Sequence, residues 1–496
     1  MWNRRFAPWL LTTVLMLGSS GALAQVELGP SDDVEAALNA LGPGDEAILA
    51  DGMYTLSGRF GLAISGTADE PIVIRAADGA TPHFHRPDAS QNIWDLSVEH
   101  VIIRGLTFSG GSAGLRFESA SDVTIEGCEI FETADVALRM NDGGQDYLRI
   151  SILRNHIHDT HGTGEGMYLG CNDDGCRLGE SLIEGNYVHH TNAGDVSQGD
   201  GIELKDGSYA TVIRDNVIHD TNYPCILGYS TAGNGAENVV EGNVAWNCGD
   251  NGIQWEANAT IRNNIVLGAG GAALASQPHQ ENGPDELTIV HNTLINDGDA
   301  LAVRNPSGPV TVANNALYSM GRAFFANGDS GRITASGNAG QGSSSVGTLI
   351  GGDIGADFVG ASFSGALPQD VRPTGGGVLG GAGDASHVTA IDFDGADRMG
   401  VADIGAYLLG GDGWTIAEGF KPMGEAMPLP DGGPSTTDGG STARDGGSEP
   451  GRDGGSSDDG GSDEGDGCGC RTPGSGSAPA SLVLLGLVVL GLRRRR

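Results

Sequence analysis

The sequence predicts an all-β fold: a right-handed parallel β-helix with a short N-terminal capping helix, a C-terminal Gly-rich linker and an apolar tail. An apolar phrase ending in Asn recurs at Asn155, Asn186, Asn216, Asn243, Asn264, Asn292, Asn315 and Asn338, spaced 31, 30, 27, 21, 28, 23 and 23 residues apart. That is a solenoid period. The phrases alternate apolar and polar residues with period two and carry no helical stripe, so each coil is built from strands. The chain also holds 84 glycines in 496 residues with 5% aromatics, a composition of tight corners rather than long helices. The right hand follows from the chirality of parallel crossovers. A repeat spanning residues 100–340 makes roughly nine to eleven coils.

Taken in chain order, residues 1–24 combine Arg4 and Arg5, an apolar run over 6–17 and Ala22-Leu23-Ala24, the parts of a secretory signal, which places the mature start at Gln25. Residues 25–425 are expected to form the β-helix domain with its caps. Within it, residues 34–41 have a helical apolar face and are expected to cover the unpaired strand edges of the first coil. The recurrent Asn tolerates a left-handed corner, and its amide donates to one coil while accepting from another, so a ladder of amides is expected. His158, His189, His219 and Trp246 each fall three residues after a ladder Asn and predict a stacked, solvent-facing ladder. Cys171 and Cys176 are placed to close a small loop, Cys128 is expected as a buried thiol, and pairing of Cys225 with Cys248 stays open. Residues 392–398 and 403–407 read as a closing cap.

Residues 426–467 repeat Asp and Gly with Ser and form a linker too polar to bury a core. In residues 468–496, Cys468-Gly469-Cys470 precedes an apolar stretch over 478–492 and an arginine cluster at 493–496. At about 1.5 Å per residue the stretch covers about 22 Å, a short transmembrane segment against a hydrocarbon core of roughly 30 Å. This order resembles the sorting tails of myxobacterial surface proteins. The resemblance implies an exported protein displayed at the cell surface or outer membrane, or released after tail processing, that meets a membrane only through the tail. The balance of 27 Lys plus Arg against 64 Asp plus Glu, a net charge of -37, repels nucleic acid.

A second strand column aligns over residues 114–118, 137–141, 166–170, 201–205, 225–229, 252–256 and 300–304. Its second and fourth positions are mostly apolar and expected inside, leaving the third and fifth facing water. The outward set is then Arg116 and Glu118, Arg139 and Asn141, Tyr168, Glu203 and Lys205, Leu227 and Tyr229, Gln254 and Glu256, and Arg304. Coils about 4.8 Å apart make this a strip about 30 Å long. Its mixture of aromatic, cationic and carboxylate groups suits a sugar chain, and insertions at 170–180 and 277–285 are expected to wall it into a groove. Lys205 is one of two lysines in the chain, the other being Lys421. Glu165 and Asp200 stand one residue ahead of adjacent strands, close to Glu203. Carboxylates so crowded call for calcium or for Lys205 as counter-charge. A salt-bridged surface cluster is the alternative.

Residues 200–220, running on to 226–230, resemble the core of pectate-lyase-like β-helix proteins. Residues 36–54 and 71–75 are similar to the opening of alginate-lyase and chondroitinase-type β-helices. The resemblance implies β-elimination on uronic acid chains, with Lys205 as base and Glu165, Asp200 and Glu203 holding calcium; Glu203 is also a catalytic candidate beside Lys205, and the strip residues Arg116, Glu118, Arg139, Tyr168, Tyr229, Gln254 and Glu256 are expected to line the polysaccharide. The chain departs from that pattern in two places: the Arg-Leu-Pro-x-x-Arg motif is absent, and Leu227 and Tyr229 follow Lys205 where an arginine is expected. Glu203 also works to raise the amine pKa. The expected function is a cell-surface β-helix that binds polysaccharide, with calcium-assisted lyase activity as its catalytic form. The alternative is a non-catalytic adhesion protein that grips a glycan or a protein.

Overall fold

The computed structural model describes residues 24–279, 282–411 and 413–422, which belong to one compact unit. The expected signal, linker, Cys-Gly-Cys and apolar tail lie outside the described residues. No helix among the described residues is long and apolar enough to cross a membrane.

Thirty-six strands join in one parallel sheet that winds as a right-handed β-helix. The driving force is a core of stacked identical positions. Ile152, Ile183, Ile213, Val240, Ile261, Ile289 and Val312 pair in register from coil to coil, and each is fully buried. Burial of such side chains stabilises by about 1.5–3 kcal/mol each. Near the start the core holds the buried aromatics Phe60, Phe84, Trp94 and Phe108, with Phe60 and Trp94 stacked at 5.0 Å.

The Asn ladder forms along one corner. Asn155 donates through Nδ2 to Asn186 Oδ1 at 3.0 Å, and the pattern repeats through Asn216, Asn243, Asn264, Asn292, Asn315 and Asn338 at 2.9–3.0 Å. Each Oδ1 also accepts the backbone N–H of the preceding ladder residue. The left-handed residue, however, is the one before each Asn: Arg154, Gly185, Asp215, Gly242, Asn263, His291, Asn314 and Gly337 all have φ between 52° and 66°. The amide bonds therefore select Asn, while its neighbour absorbs the turn. Cys128 takes the ladder place one coil earlier and donates its N–H to Asn155 Oδ1. It is free and buried as expected, and burial pushes its thiol up to about 12.

The N-terminal helix spans Val34–Leu38, capped by the Asp33 side chain, and buries Val34 and Leu38. The expected closing cap takes a different course. Arg398, fully buried, donates to Asn263 Oδ1 and the carbonyls of Gly405 and Ala406, while Ala406 N–H reaches Thr293 Oγ1 and Gly405 N–H reaches Asn314 O. These partners belong to successive coils, so the segment runs along the side of the stack as a strap instead of covering its end. Lys421 continues it, donating to Asp215 Oδ1 at 2.5 Å and to the carbonyls of Gly242 and Phe393.

Cys171 pairs with Cys176, and Cys225 with Cys248. The histidine ladder stacks as expected: His158 on His189 at 5.1 Å, His189 on His219 at 5.1 Å, and His219 on Trp246 at 4.3 Å. It is not solvent-facing throughout, because His219 and Trp246 are buried.

Candidate functional site

The strip forms in the expected register. Arg116 pairs with Arg139, Arg139 with Tyr168, Tyr168 with Glu203, Glu203 with Leu227, and Leu227 with Gln254. A coil missing from the sequence alignment, Ala272–Ser276, follows, with Ala275 opposite Gln254 and Ala302 beyond it. Glycines at the strand entrances allow the coils to approach: a Cβ on Gly201 would lie 2.5 Å from Cys225 O, and one on Gly166 2.6 Å from Gly201 O.

The centre of the strip is buried. Glu165, Asp200, Glu203, Lys205, Tyr229, Gln254 and Glu256 were expected at or beside a water-facing surface, yet each is no more than 5% exposed. The insertion after Ser276 accounts for part of this. His279 donates its backbone N–H to Glu256 Oε1 and places Nε2 3.1 Å from the Tyr229 hydroxyl, while Asn282 donates to Ser230 Oγ. The insertion therefore closes over the strip, where walls beside an open groove were expected. Asn234 likewise ties the disulfide-closed insertion to its coil by donating to Asp174 Oδ1 and Gly207 O.

Ligand oxygens of Glu165, Asp200 and Glu203 converge within 4.8 Å of one another. Lys205 Nζ lies 2.6 Å from Glu203 Oε1, with the Tyr168 ring centroid at 4.4 Å and that of Tyr229 at 5.2 Å. The ammonium is thus held by one carboxylate and two aromatic faces. The Tyr229 hydroxyl donates to the same Glu203 Oε1 at 3.3 Å. Glu165 Oε2, both Asp200 oxygens and Glu203 Oε2 are buried without a hydrogen-bond partner. Burial first, then the charge of Glu203, pushes the Glu165 carboxyl up to about 7 and holds Asp200 well above the usual carboxylate range. Burial opposes the charge on Lys205, but Glu203 outweighs it and keeps the amine above the ordinary lysine range. Buried carboxylate oxygens without a protein partner suit a hard divalent ion with oxygen ligands.

The remaining strip residues lie apart from this cluster. Arg116 is engaged by Asp142 at 2.9 Å and by Glu118, and Glu118 also accepts from Arg59. Arg139 donates to Asn141 Oδ1 and stands 3.5 Å from Asp135. Gln254 accepts from Asn251. Burial raises the Glu256 carboxyl to about 7 although it accepts backbone N–H groups from His279 and Ser230. His279 was not expected at the strip; the signal for it was its place inside an insertion leaving the strip. A groove of about 630 Å³ opens between corner residues such as Asn222 and Asn247 and residues 362–369. Asp297 is the lone titratable group among the described residues lining it, whereas the carboxylate cluster gathers three.

The model of the family described as right handed beta helix region matches residues 84–186 and 144–339. The chain belongs to this family. An alginate lyase from Paenibacillus sp. strain FPU-7 aligns with 19% identity over 63% of this chain and 99% of its own, at TM-score 0.44. A pectate lyase aligns with 14% identity over 78% and 97%, at TM-score 0.48. The A-module of an Azotobacter vinelandii mannuronan C-5 epimerase aligns with 13% identity over 62% and 90%, at TM-score 0.41. No curated protein matches the chain.

Proposed function

We propose that this β-helix protein binds a uronic acid-containing polysaccharide and cleaves it by β-elimination at the Glu165, Asp200, Glu203 and Lys205 cluster. The observation that carries the reading is the convergence of three buried carboxylates with unpartnered oxygens beside one lysine. Calcium held by Glu165, Asp200 and Glu203 would supply positive charge against the substrate carboxylate and the negative charge that develops next to it.

Lys205 is the proton acceptor. As it stands the amine is cationic and occupied, because Glu203 Oε1 binds it. It gains a free electron pair only when Glu203 turns its oxygens elsewhere and the ammonium proton passes to solvent water as substrate binds, a loss that positive charge close by favours. The neutral amine then takes the C5 proton of the uronate, a C4–C5 double bond forms, and the C4–O bond breaks. The Tyr229 hydroxyl, set between His279 Nε2 and Glu203 Oε1, is placed to protonate the departing oxygen. Arg139 and Tyr168, part-exposed on preceding coils, extend the contact along the chain. Two disulfides support an exported protein, since such bonds persist in oxidising compartments. Display at the cell surface belongs to the same proposal.

Deep burial of the paired Lys205 favours a second reading, in which the same surface grips an acidic glycan without cleaving it. Incubation with alginate and pectate in calcium separates the two. Appearance of an ultraviolet-absorbing unsaturated uronate, lost in Lys205→Ala, supports cleavage. Calcium-dependent retention of an acidic glycan without that product supports adhesion. Absence of both calcium binding and glycan retention overturns the proposal.

A further inference from the structure

The strand Glu129–Phe131 pairs with His156–His158, which in turn pairs with Tyr187–Thr191. Inward Ile130, Ile157 and Val188 leave Glu129, His156, His158 and His189 on the outer side of three successive coils, all half-buried. This face is distinct from the one bearing the carboxylate cluster, which belongs to another strand column.

His158 and His189 stack on one another, and His156 stacks on the Tyr187 ring at 5.1 Å, but stacking leaves the ring nitrogens of His156 to be accounted for. The His156 ring tilts 41° from His189 and brings Nε2 within 2.8 Å of His189 Nε2. His158 Nδ1 lies 2.7 Å from Asp159 Oδ2, so its proton belongs on Nδ1 and its Nε2 carries a lone pair. That Nε2 faces Glu129 Oε1 at 3.5 Å, and His156 Nδ1 faces the same oxygen at 3.4 Å. An imidazole lone pair opposite a carboxylate oxygen needs a proton or a cation between them. The far nitrogen of His189, Nδ1, lies 2.6 Å from His190 Nδ1, which leaves Nε2 toward the cluster. Ligand nitrogens of His156, His158 and His189 lie within 4.8 Å of one another.

We propose that His156, His158 and His189, with Glu129 as a fourth ligand, bind a first-row divalent transition ion such as zinc. Three imidazoles and one carboxylate suit that class of ion, whereas calcium takes oxygen ligands. Asp159 is the outer carboxylate that fixes the tautomer of His158. Because His158 and His189 stack 9° from parallel, one of the two rings turns about its Cβ–Cγ bond to aim at the shared ion.

The test titrates the purified full chain with cobalt, a spectroscopic substitute for zinc, in excess calcium. The expected result is one equivalent of tight binding with the visible bands of four-coordinate cobalt, displaced by zinc. His156→Asn, which leaves the stacked ladder whole, is expected to weaken binding at least tenfold, and Glu129→Gln to shift the bands. Glu165→Gln combined with Asp200→Asn is expected to leave cobalt binding unchanged. No stoichiometric binding, or binding indifferent to both His156→Asn and Glu129→Gln, overturns the assignment. So does loss of binding in the double carboxylate variant alone.

Discussion

At the scale of single residues, Lys205 and Glu203 depend on one another. Removing one member of a buried pair strands the other, at a cost of about 3–5 kcal/mol. Lys205→Met is therefore expected to lower the unfolding free energy by about 3 kcal/mol in chelator, with part of the loss recovered in calcium; paired melts with and without calcium check this. His291 gives a pH dependence. Burial, and then Arg398, hold its pKa down near 3 against an ordinary 6.5; Nε2 faces the Asn314 amide and Nδ1 has no partner. The unfolded chain takes up this proton below 6.5 and the folded chain resists it. The stability it contributes is complete above 6.5 and is lost as pH falls from 6.5 toward 3. His291→Asn, which keeps a residue suited to its left-handed φ of 54°, is expected to melt with a shallower decline across that window.

At the scale of elements, the amide ladder makes each coil depend on the next. Asn216 donates to Ile183 O and Asn243 Oδ1 and accepts from Asn186. Asn216→Leu leaves those buried groups unsatisfied and is expected to cost about 3 kcal/mol, measured by chemical denaturation. Cys128→Asn, by contrast, adds a rung above Asn155 and is expected to raise stability by about 1 kcal/mol. The ladder was legible because Asn is the residue that repeats. Its reason was legible only in part, since the left-handed turn moves among Arg, Gly, Asp, His and Asn one position earlier and leaves no single-letter trace. The grouping of Glu165, Asp200, Glu203 and Lys205 was likewise legible, because strand register follows from the repeat. Their burial was not. It depends on where His279 and Asn282 land, and nothing in an alternating strand pattern encodes the path of an insertion more than fifty residues downstream.

At the scale of the whole molecule, the strap links segments distant in sequence. Lys421 is buried against Asp215, Gly242 and the Phe393 ring, with Nζ 3.6 Å from the ring centroid. Gly242, at φ 66°, has no room for a larger residue, since a Cβ would stand 2.6 Å from Asp215 Oδ1. Lys421→Met is expected to cost about 1–3 kcal/mol and to speed proteolysis within residues 379–422, while calcium affinity stays unchanged. Limited proteolysis followed by mass analysis checks the cleavage, and a calcium titration checks the affinity. The side-on course of this segment was not visible in the sequence, because the Asp-rich turns at 392–398 fit an end cap equally well and the deciding partners, Asn263, Thr293 and Asn314, are ordinary corner residues.

Because Lys421 docks beside Asp215 and Gly242, a pull on the chain beyond residue 422 is delivered to the middle of the solenoid. The last coils are spared peeling, and the lysine contact must shear before they bear load. A protein moored by that end would hold its carboxylate cluster steady under drag until this contact gave way.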